Sequence, residues 1–346
     1  MDASMTSATR ARRLTRPALA LASGPLLAGA LITGALLASS PATPARAAYA
    51  GLDGRIAFVR HGDIYSIKSS GSGLRLLAGG GLASGPRWSP DGTEIAYLDQ
   101  GNLWIMNANG SHKRQVTHGA PGHTDGRPTW SPDGRYLAYV RTARGSSVGH
   151  LTRYDTVSGT VSGFTTTYGG SLIKVPARPG TSVAWQRVGQ PTPYPYFIAA
   201  ESAGALCPAG QYCLSAFGLD HEYQFRNVYP SMEDETSAPL RLTDPDWYPV
   251  SPRFAFDLLT SVESCTAHGC SHSGFMLTIT GKVIVPRAYE AVYSPAGAEV
   301  AFVRNLRGNP EIYITVNDEA TAAASAVALT AGREPDWQPV PPVPLS

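Results

Sequence analysis

The sequence predicts an all-β protein, a six-bladed β-propeller whose blades are four-stranded antiparallel sheets. Short strand-like segments alternate with turn residues along most of the chain, and an aromatic residue followed by a turn recurs at intervals of 42, 55, 62, 46 and 44 residues. A period of about 40 to 50 residues is typical of arrays of small sheets such as propeller blades. The six aromatic anchors are Trp88, Trp130, Trp185, Trp247, Tyr293 and Trp337.

The turn after three of the anchors is well preserved. Trp88 and Trp130 each begin the pentapeptide Trp-Ser-Pro-Asp-Gly, and Tyr293 begins Tyr-Ser-Pro-Ala-Gly. Proline fixes φ at the first corner, the aspartate side chain caps the backbone, and glycine adopts a positive φ. We therefore interpret these aspartates as turn residues. The other three anchors are degenerate copies, recognisable from the strand-like sequence around them.

Apolar and β-branched segments follow the well-preserved anchors. Residues 95–98, 137–140 and 300–303 are examples, and a second segment such as 103–106 or 312–314 follows after a short polar gap. Segments of this length, separated by Gly, Asn and Asp, are typical of antiparallel hairpins rather than helices.

The two ends of the repeat array complement each other. The first strand pair has no anchor before it, and the last anchor, Trp337, has no strands after it. We expect residues 335–339 to pair beside residues 55–60 as the innermost strand of a blade whose outer strands come from residues 54–80. Such closure removes exposed sheet edges.

Residues 1–47 are predicted to be a cleaved export signal, so the protein is expected to be secreted or extracytoplasmic. Arginines near the N-terminus precede a Leu/Ala/Gly-rich run that ends in Ala45-Arg46-Ala47. An uncleaved membrane anchor is the alternative, because the run is long enough to span a bilayer. Residues 48–346 are predicted to form a single propeller domain.

The charge of the chain gives little indication of a polyanionic partner. The formal net charge is +2, and five arginines belong to the predicted signal, so the mature chain is close to neutral. We therefore expect no nucleic-acid partner and no stable membrane insertion after cleavage.

The four cysteines of an exported chain are expected to form disulfides. Three connectivities are possible, and the pairs Cys207–Cys213 and Cys265–Cys270 are favoured because each segment falls where a loop between strands is expected. A four-cysteine zinc site lacks the usual short spacing. The sequence therefore indicates no metal.

The repeat resembles the WD-like repeat of the TolB propeller family. The pattern is x-W-S-P-D-G-x-x-[IL]-A-[FY], then an Ile-Tyr-type strand, then Leu-Thr before the next anchor, supplied here by residues 115–117, 241–243 and 328–330. The resemblance covers residues 54–339 and concerns the propeller alone. Related propellers cap the catalytic domain of prolyl-oligopeptidase-like peptidases, which raises the question of a hydrolase.

A hydrolase motif is present without its structural context. Residues 145–149 match G-x-S-x-G, but they lie between two predicted strands of one blade instead of between a strand and a helix. No catalytic residue is assigned.

Several polar residues are predicted to lie in loops on one face, where they would form a binding surface. Solvated loop residues are the alternative interpretation, and no compact metal-ligand spacing is present. The candidates are His118, His123, Asp125, Arg141, Arg144, His268, His272, Arg304 and Arg307.

The predicted function is that of a secreted, monomeric, non-catalytic propeller that binds a protein or peptide partner, with carbohydrate as another candidate ligand and no cofactor. Insertions at about 188–239 and 257–274 hold all four cysteines and would present the binding surface, because a pre-ordered loop loses less entropy on docking.

One alternative is a propeller polysaccharide lyase or glycosidase, which would need charged groups converging on the axis. In sequence the candidates are scattered. Another alternative is a regulator of secreted peptidases.

Overall fold

The computed structural model describes residues 52–118, 122–168, 171–187, 197–203, 207, 213–218, 226–229, 240–249, 258–266, 269–277, 283–306, 308–318 and 320–341. The predicted export signal at residues 1–47 lies outside this part of the chain. Within the described residues, no helix has both the length and the apolar character needed to cross a membrane.

The described residues are almost entirely strands, with one short helix, α1 (Ala322–Ser325). The strands are β1 Leu52–Arg60, β2 Asp63–Lys68, β3 Arg75–Ala78, β4 Ala83–Trp88, β5 Glu94–Asp99, β6 Asn102–Asn107, β7 Arg114–Gln115, β8 His123–Asp125, β9 Thr129–Trp130, β10 Tyr136–Ala143, β11 Gly149–Asp155, β12 Val161–Gly163, β13 Thr165–Tyr168, β14 Ser171–Lys174, β15 Pro176–Ala177, β16 Val183–Trp185, β17 Phe197–Ser202, β18 Cys213–Gly218, β19 Arg226–Tyr229, β20 Leu240–Trp247, β21 Leu258–Thr266, β22 Gly269–Leu277, β23 Val283–Pro286, β24 Ala288–Tyr293, β25 Glu299–Arg304, β26 Glu311–Val316, β27 Val327–Ala331 and β28 Arg333–Val340.

The strands form the six predicted blades. Blades 1, 2, 5 and 6 are separate four-stranded sheets with the orders β28-β1-β2-β3, β4-β5-β6-β7, β20-β21-β22-β23 and β24-β25-β26-β27. Blade 3 contains β8 and β9 with β10, β11 and β12, and blade 4 contains β16 to β19. These two blades share one extended sheet because β15 pairs with both β11 and β17. The hairpin β13–β14 is inserted between them.

The ring closes through the C-terminal strand, as the sequence predicts. In blade 1, β28 pairs antiparallel with β1 and places Trp337 opposite Ile56 and Asp336 opposite Ala57. The innermost and second strands of this blade therefore come from opposite ends of the propeller sequence. Each supplies backbone hydrogen bonds that the other would otherwise lack.

The six anchors are all buried, and they pack between neighbouring blades. Trp88 of blade 2 packs in one cluster with Ala57 and Ile64 of blade 1. Two anchors also join blades by hydrogen bonds: the Trp130 indole donates to the Arg87 carbonyl at 3.0 Å, and that of Trp247 donates to the Ala184 carbonyl at 3.1 Å. The anchors are thus interface residues of the scaffold.

Replacing Trp88 with alanine should lower the free energy of unfolding by about 3 to 5 kcal/mol, because the change leaves a cavity between two blades. Denaturant unfolding followed by intrinsic fluorescence and circular dichroism measures the loss. Trp104→Ala is the matched control, since Trp104 is only partly buried at the edge of the same cluster. Equal losses in the two variants would contradict the anchor role.

The Ser-Pro-Asp-Gly turns have the predicted local structure. The Asp91 carboxylate accepts hydrogen bonds from the Ser89 hydroxyl at 2.6 Å and from the Thr93 amide at 3.0 Å. Gly92 has a φ of +70°, and a Cβ at this position would lie 2.1 Å from the Pro339 carbonyl oxygen. Glycine is therefore required both by the conformation and by the close approach of β28.

The two segments predicted as insertions contain regular blade strands. Residues 257–274 hold all but three residues of the β21–β22 hairpin, and each of these strands has nine residues where β25 and β26 of the next blade have six. The described part of 188–239 contains β17, β18 and β19.

The disulfides are Cys207–Cys213 and Cys265–Cys270, which is the pairing that the sequence favours. The second disulfide closes the tip of the β21–β22 hairpin. Disulfides are consistent with an extracytoplasmic location.

Candidate functional site

A ring of six residues, one from each blade, surrounds the propeller axis. Each lies three positions before its anchor, on the innermost strand or directly next to it, and we call this set the axial ring. The axial ring must lie at the propeller axis, because Arg127 of blade 3 contacts carboxylates of blades 1, 5 and 6. The members of the axial ring are Gly85, Arg127, Ser182, Asp244, Glu290 and Glu334.

A repeated backbone irregularity turns these residues toward the axis. The pairing of the innermost strand with its neighbour shifts register next to Gly85, Asp244 and Glu290. Those three residues and Glu334 have φ values of +58°, +48°, +51° and +56°. A bulge of this kind re-aims a side chain that a regular strand would direct elsewhere. The strain is tolerated at three non-glycine positions because the ring contacts hold the conformation.

Glycine occupies the axial ring in blade 2 because the neighbouring arginine needs the space. A Cβ on Gly85 would lie 2.8 Å from Cγ of Arg127. The Gly85 amide instead donates a hydrogen bond to Glu334 Oε2 at 2.6 Å. A side chain here would displace the arginine stem from the centre of the ring.

Arg127 is the centre of the ionic contacts in the ring. Its guanidinium lies 2.7 Å from Glu334, 3.4 Å from Asp244 and 3.5 Å from Glu290. The Ser182 hydroxyl donates to Asp244 at 2.8 Å. With all three carboxylates ionised, the ring carries a formal charge of −2, and about a quarter of the Arg127 side chain remains exposed to solvent.

A second set of polar residues lies one position before the anchors and links adjacent blades. Asp336 accepts a hydrogen bond from the Trp88 amide at 2.7 Å, and Asp246 accepts one from the Tyr293 amide at 2.8 Å. Asp246 also forms an ion pair with Arg187 at 2.8 Å. These carboxylates therefore have structural roles at the blade interfaces.

Burial changes the protonation of carboxylates in the axial ring and at the blade interfaces. It raises the pKa of Glu290 to about 7, against the opposing effect of Arg127, and it raises the pKa of Asp336 to about 6. The pKa of Asp246 is raised for the same reason. Burial alone would lower the pKa of Arg127, but Glu334, Glu290 and Asp244 together raise it above its usual value. Arg127 is thus a permanent cation beside a glutamate that titrates near neutrality.

Comparison with known proteins places this arrangement in a known fold. Residues 63–160 match the family model of the dipeptidyl peptidase IV (DPP IV) N-terminal region. The crystal structure of TolB from Acinetobacter baumannii superposes with a TM-score of 0.58 at 14% identity, covering 84% of this chain and 67% of that one. This chain has a TolB-like β-propeller fold.

Other structures share the fold to differing degrees. Kuenenia stuttgartiensis hydrazine synthase superposes with a TM-score of 0.52 at 14% identity, covering 85% of this chain and 49% of that one. A putative TolB from Agrobacterium tumefaciens gives 0.48 at 13% identity, covering 81% and 90%. No curated protein matches the sequence significantly. Identities this low establish the TolB-like fold alone, since propellers carry many functions on one frame.

The axial ring of this propeller was not predicted from the sequence. Charged candidates are scattered along the sequence, whereas Arg127, Asp244, Glu290 and Glu334 converge on the axis. The signal was available, because all four occupy the same position relative to their anchors. Residues far apart in sequence are brought together only when the repeat register is applied to a closed ring.

One face of the propeller carries the connections between blades and the turns between the second and third strands of each blade, and we call it the upper face. His118 and His123 are exposed in the connection from blade 2 to blade 3, and Arg144 is exposed in the β10–β11 turn. Asp125 is buried and accepts hydrogen bonds from Arg141 Nε at 2.7 Å and Nη2 at 2.9 Å. The structure therefore brings Asp125 and Arg141 together as an interior pair.

Two further sequence-predicted residues, His272 and Arg304, lie on blades 5 and 6. The His272 ring stacks on Tyr289 with centroids 4.0 Å apart, and its Nδ1 lies 3.3 Å from Glu263. The Arg304 guanidinium lies over the rings of Phe302 and Tyr313. His268 and Arg307 lie outside the described residues.

Proposed function

We propose that this chain is a secreted, non-catalytic propeller that binds a protein or peptide partner on its upper face, after removal of residues 1–47 as an export signal. The observation that carries the proposal is the β21–β22 hairpin, whose disulfide-closed tip extends this face. A covalently closed hairpin is ordered before binding, so a partner that docks on it loses less entropy. Regular blades such as blade 6 fold without this extension.

The part of the hairpin just below its tip is anchored to the propeller. Glu263 accepts a hydrogen bond from Arg241 at 3.1 Å and lies opposite His272 in the strand register. His272 in turn stacks on Tyr289 of blade 6. These contacts fix the direction of the hairpin and leave its tip for a partner.

The axial ring favours a partner that brings positive charge to the channel. Three carboxylates surround one guanidinium, so the ring carries a formal charge of −2 while Glu290 is ionised and −1 when it is protonated. A lysine, an arginine or the amino terminus of a peptide has the complementary charge. We infer that such a group approaches the axial ring while the hairpin tip contacts the body of the partner.

Removing the hairpin tip should abolish partner capture and leave the fold intact. The variant replaces residues 264–271 with Asn-Gly, a dipeptide suited to a two-residue hairpin turn, and keeps Glu263 and His272. Pull-down from culture medium, with secreted peptidases as the first candidates, measures capture. Its thermal transition should stay within a few degrees of wild type, because the buried Val262 is retained.

A matched control separates a loss of binding from a loss of structure. Val157→Ser alters the turn between β11 and β12 on the opposite face, where Val157 is 80% exposed. This variant should capture the partner as wild type does. Full capture by the tip-deleted protein would rule out the hairpin as the binding element.

A carbohydrate-active enzyme is the second candidate function, and the near-neutral pKa of Glu290 favours it, because a general acid or base works best near the ambient pH. Polyuronates and neutral polysaccharides incubated with wild type and Glu290→Gln test this function. Turnover that the glutamine variant lacks would replace the binding proposal. Equal reducing-end release by both variants, at the level of buffer, would support a binding role.

A further inference from the structure

A second site lies on blade 3, away from the axial ring. A cleft of about 380 Å³ opens beside the β10–β11 turn and the end of β14. This volume is in the range of small-molecule sites. Four basic side chains belong to its lining: His123, Arg141, His150 and Lys174.

The strand register brings these side chains together. Arg141 on β10 lies directly opposite His150 on β11, and His123 on β8 pairs with Ala143, two residues further along β10. Lys174 is the last residue of β14, which ends just before β15 pairs with His150. Three separate segments of the chain therefore supply basic groups to one cleft.

The cleft has an excess of positive charge. Arg141 uses Nε and Nη2 to bind the buried Asp125, which fixes the position of its guanidinium. Within the described part of the chain, Lys174, His123 and His150 form no ion pair with a carboxylate, and the cleft lining contains no acidic residue. Burial, and then the charge of Lys174, lowers the pKa of His150. The lowered pKa favours a neutral His150 ring, so Lys174 supplies the unpaired positive charge of the cleft and the His150 ring can donate a hydrogen bond to an anion.

The walls of the cleft are apolar. Ala143, Val148 and Val161 line it alongside the basic groups. Small-molecule sites typically combine apolar walls with a few polar groups that fix orientation. A bare inorganic ion would use only the basic part of this lining.

We propose that the blade 3 cleft binds a small organic anion, with its charged oxygens against Lys174, His150 and Arg141 and its aliphatic part against Val148 and Val161. The shared chemistry is an oxyanion, supplied by a carboxylate or a phosphate monoester. This site is independent of the hairpin tip and goes beyond the binding of a protein partner.

Isothermal titration calorimetry with acetate, butyrate and butyl phosphate, at constant ionic strength, tests the proposal. Wild type should bind butyrate saturably with one site and several-fold more tightly than acetate, because the longer chain reaches the valines. Tighter binding of butyl phosphate than of butyrate would assign the head group as phosphate, and the reverse order would assign it as carboxylate. Absence of saturable binding for all three probes would overturn the proposal.

Variants locate the site. Lys174→Gln should weaken binding about tenfold, as expected for a lost charge-assisted hydrogen bond. Val161→Asp should abolish binding by repulsion, and the exposure of both side chains makes the fold tolerant of either change. Lys68→Gln, a change at an exposed lysine on blade 1, should bind as wild type does. Equal weakening in the Lys68 and Lys174 variants would also overturn the proposal, because it would indicate general charge attraction.

Discussion

A chain that ends at Gly332 should fail to form a stable propeller. It lacks β28, so β1 loses its inner partner, and blade 1 loses the buried Trp337. The side chain of Trp337 alone contributes about 3 to 5 kcal/mol. The deletion also removes Glu334 from the axial ring and Asp336 from the interface with blade 2. Because domains are typically stable by only about 5 to 15 kcal/mol, the loss should unfold the protein at ambient temperature.

Circular dichroism melting and gel filtration measure the effect of this deletion. The control ends at Pro341, which removes only residues beyond β28, and it should melt with the full-length chain. A chain ending at Gly332 that elutes as a compact monomer with an unchanged melting temperature would refute closure by the C-terminal strand.

Replacing Arg127 with methionine should cost about 3 to 5 kcal/mol of stability at pH 8, because it removes the countercharge that three carboxylates share. Glu334, Glu290 and Asp244 all lose their common partner. Denaturant unfolding gives the loss. Arg135→Met is the matched control, because half of the Arg135 side chain is exposed to solvent, so its ion pair with Asp155 should contribute much less.

The stability that Arg127→Met loses relative to wild type should become smaller as the pH falls. Burial raises the pKa of Glu290 to about 7 from an ordinary value of 4.5, so the folded chain binds more protons than the unfolded chain between these values. Stability from this group is therefore fully present below about pH 4.5 and is lost as the pH rises through 7. Asp336, with a pKa of about 6, contributes in the same direction.

The unfolding free energy of the Arg127→Met variant should fall more steeply with rising pH than that of wild type. Without the cation that lowers its pKa, Glu290 should bind its proton at a still higher pH. The difference in unfolding free energy between wild type and variant should therefore be smaller at pH 5 than at pH 8. A difference that is constant over this range would show that Arg127 acts through packing and not through its charge.

Local sequence features determined the strands and turns of this protein. The Ser-Pro-Asp-Gly turns form as predicted because proline, aspartate and glycine each fix one backbone feature without help from distant residues. The six anchors were recognisable because every blade needs one large buried side chain at its interface. The unpaired first strand and the unpaired last anchor together specified ring closure.

Local sequence features did not identify the strands within the long segments of blades 4 and 5. Residues 257–274 look like an insertion because serine, glycine and cysteine interrupt the apolar pattern. In the structure, long-range pairing with β20 and β23 makes most of them central strands. Strand formation there depends on neighbours in the sheet more than on intrinsic preference.

The sequence by itself determined the fold class, the blade count, the closure and the favoured disulfide pairing, because each depends on local patterns or on a repeat that can be counted. Only the tertiary structure decided where charge accumulates. Arg127 and Glu334 are 207 residues apart and meet at 2.7 Å because a closed ring brings the same position of every blade to one axis. The blade 3 cleft likewise depends on the end of β14 lying beside the β10–β11 turn. The residues of both candidate sites therefore meet only in the folded protein, and the sequence repeat by itself does not identify them.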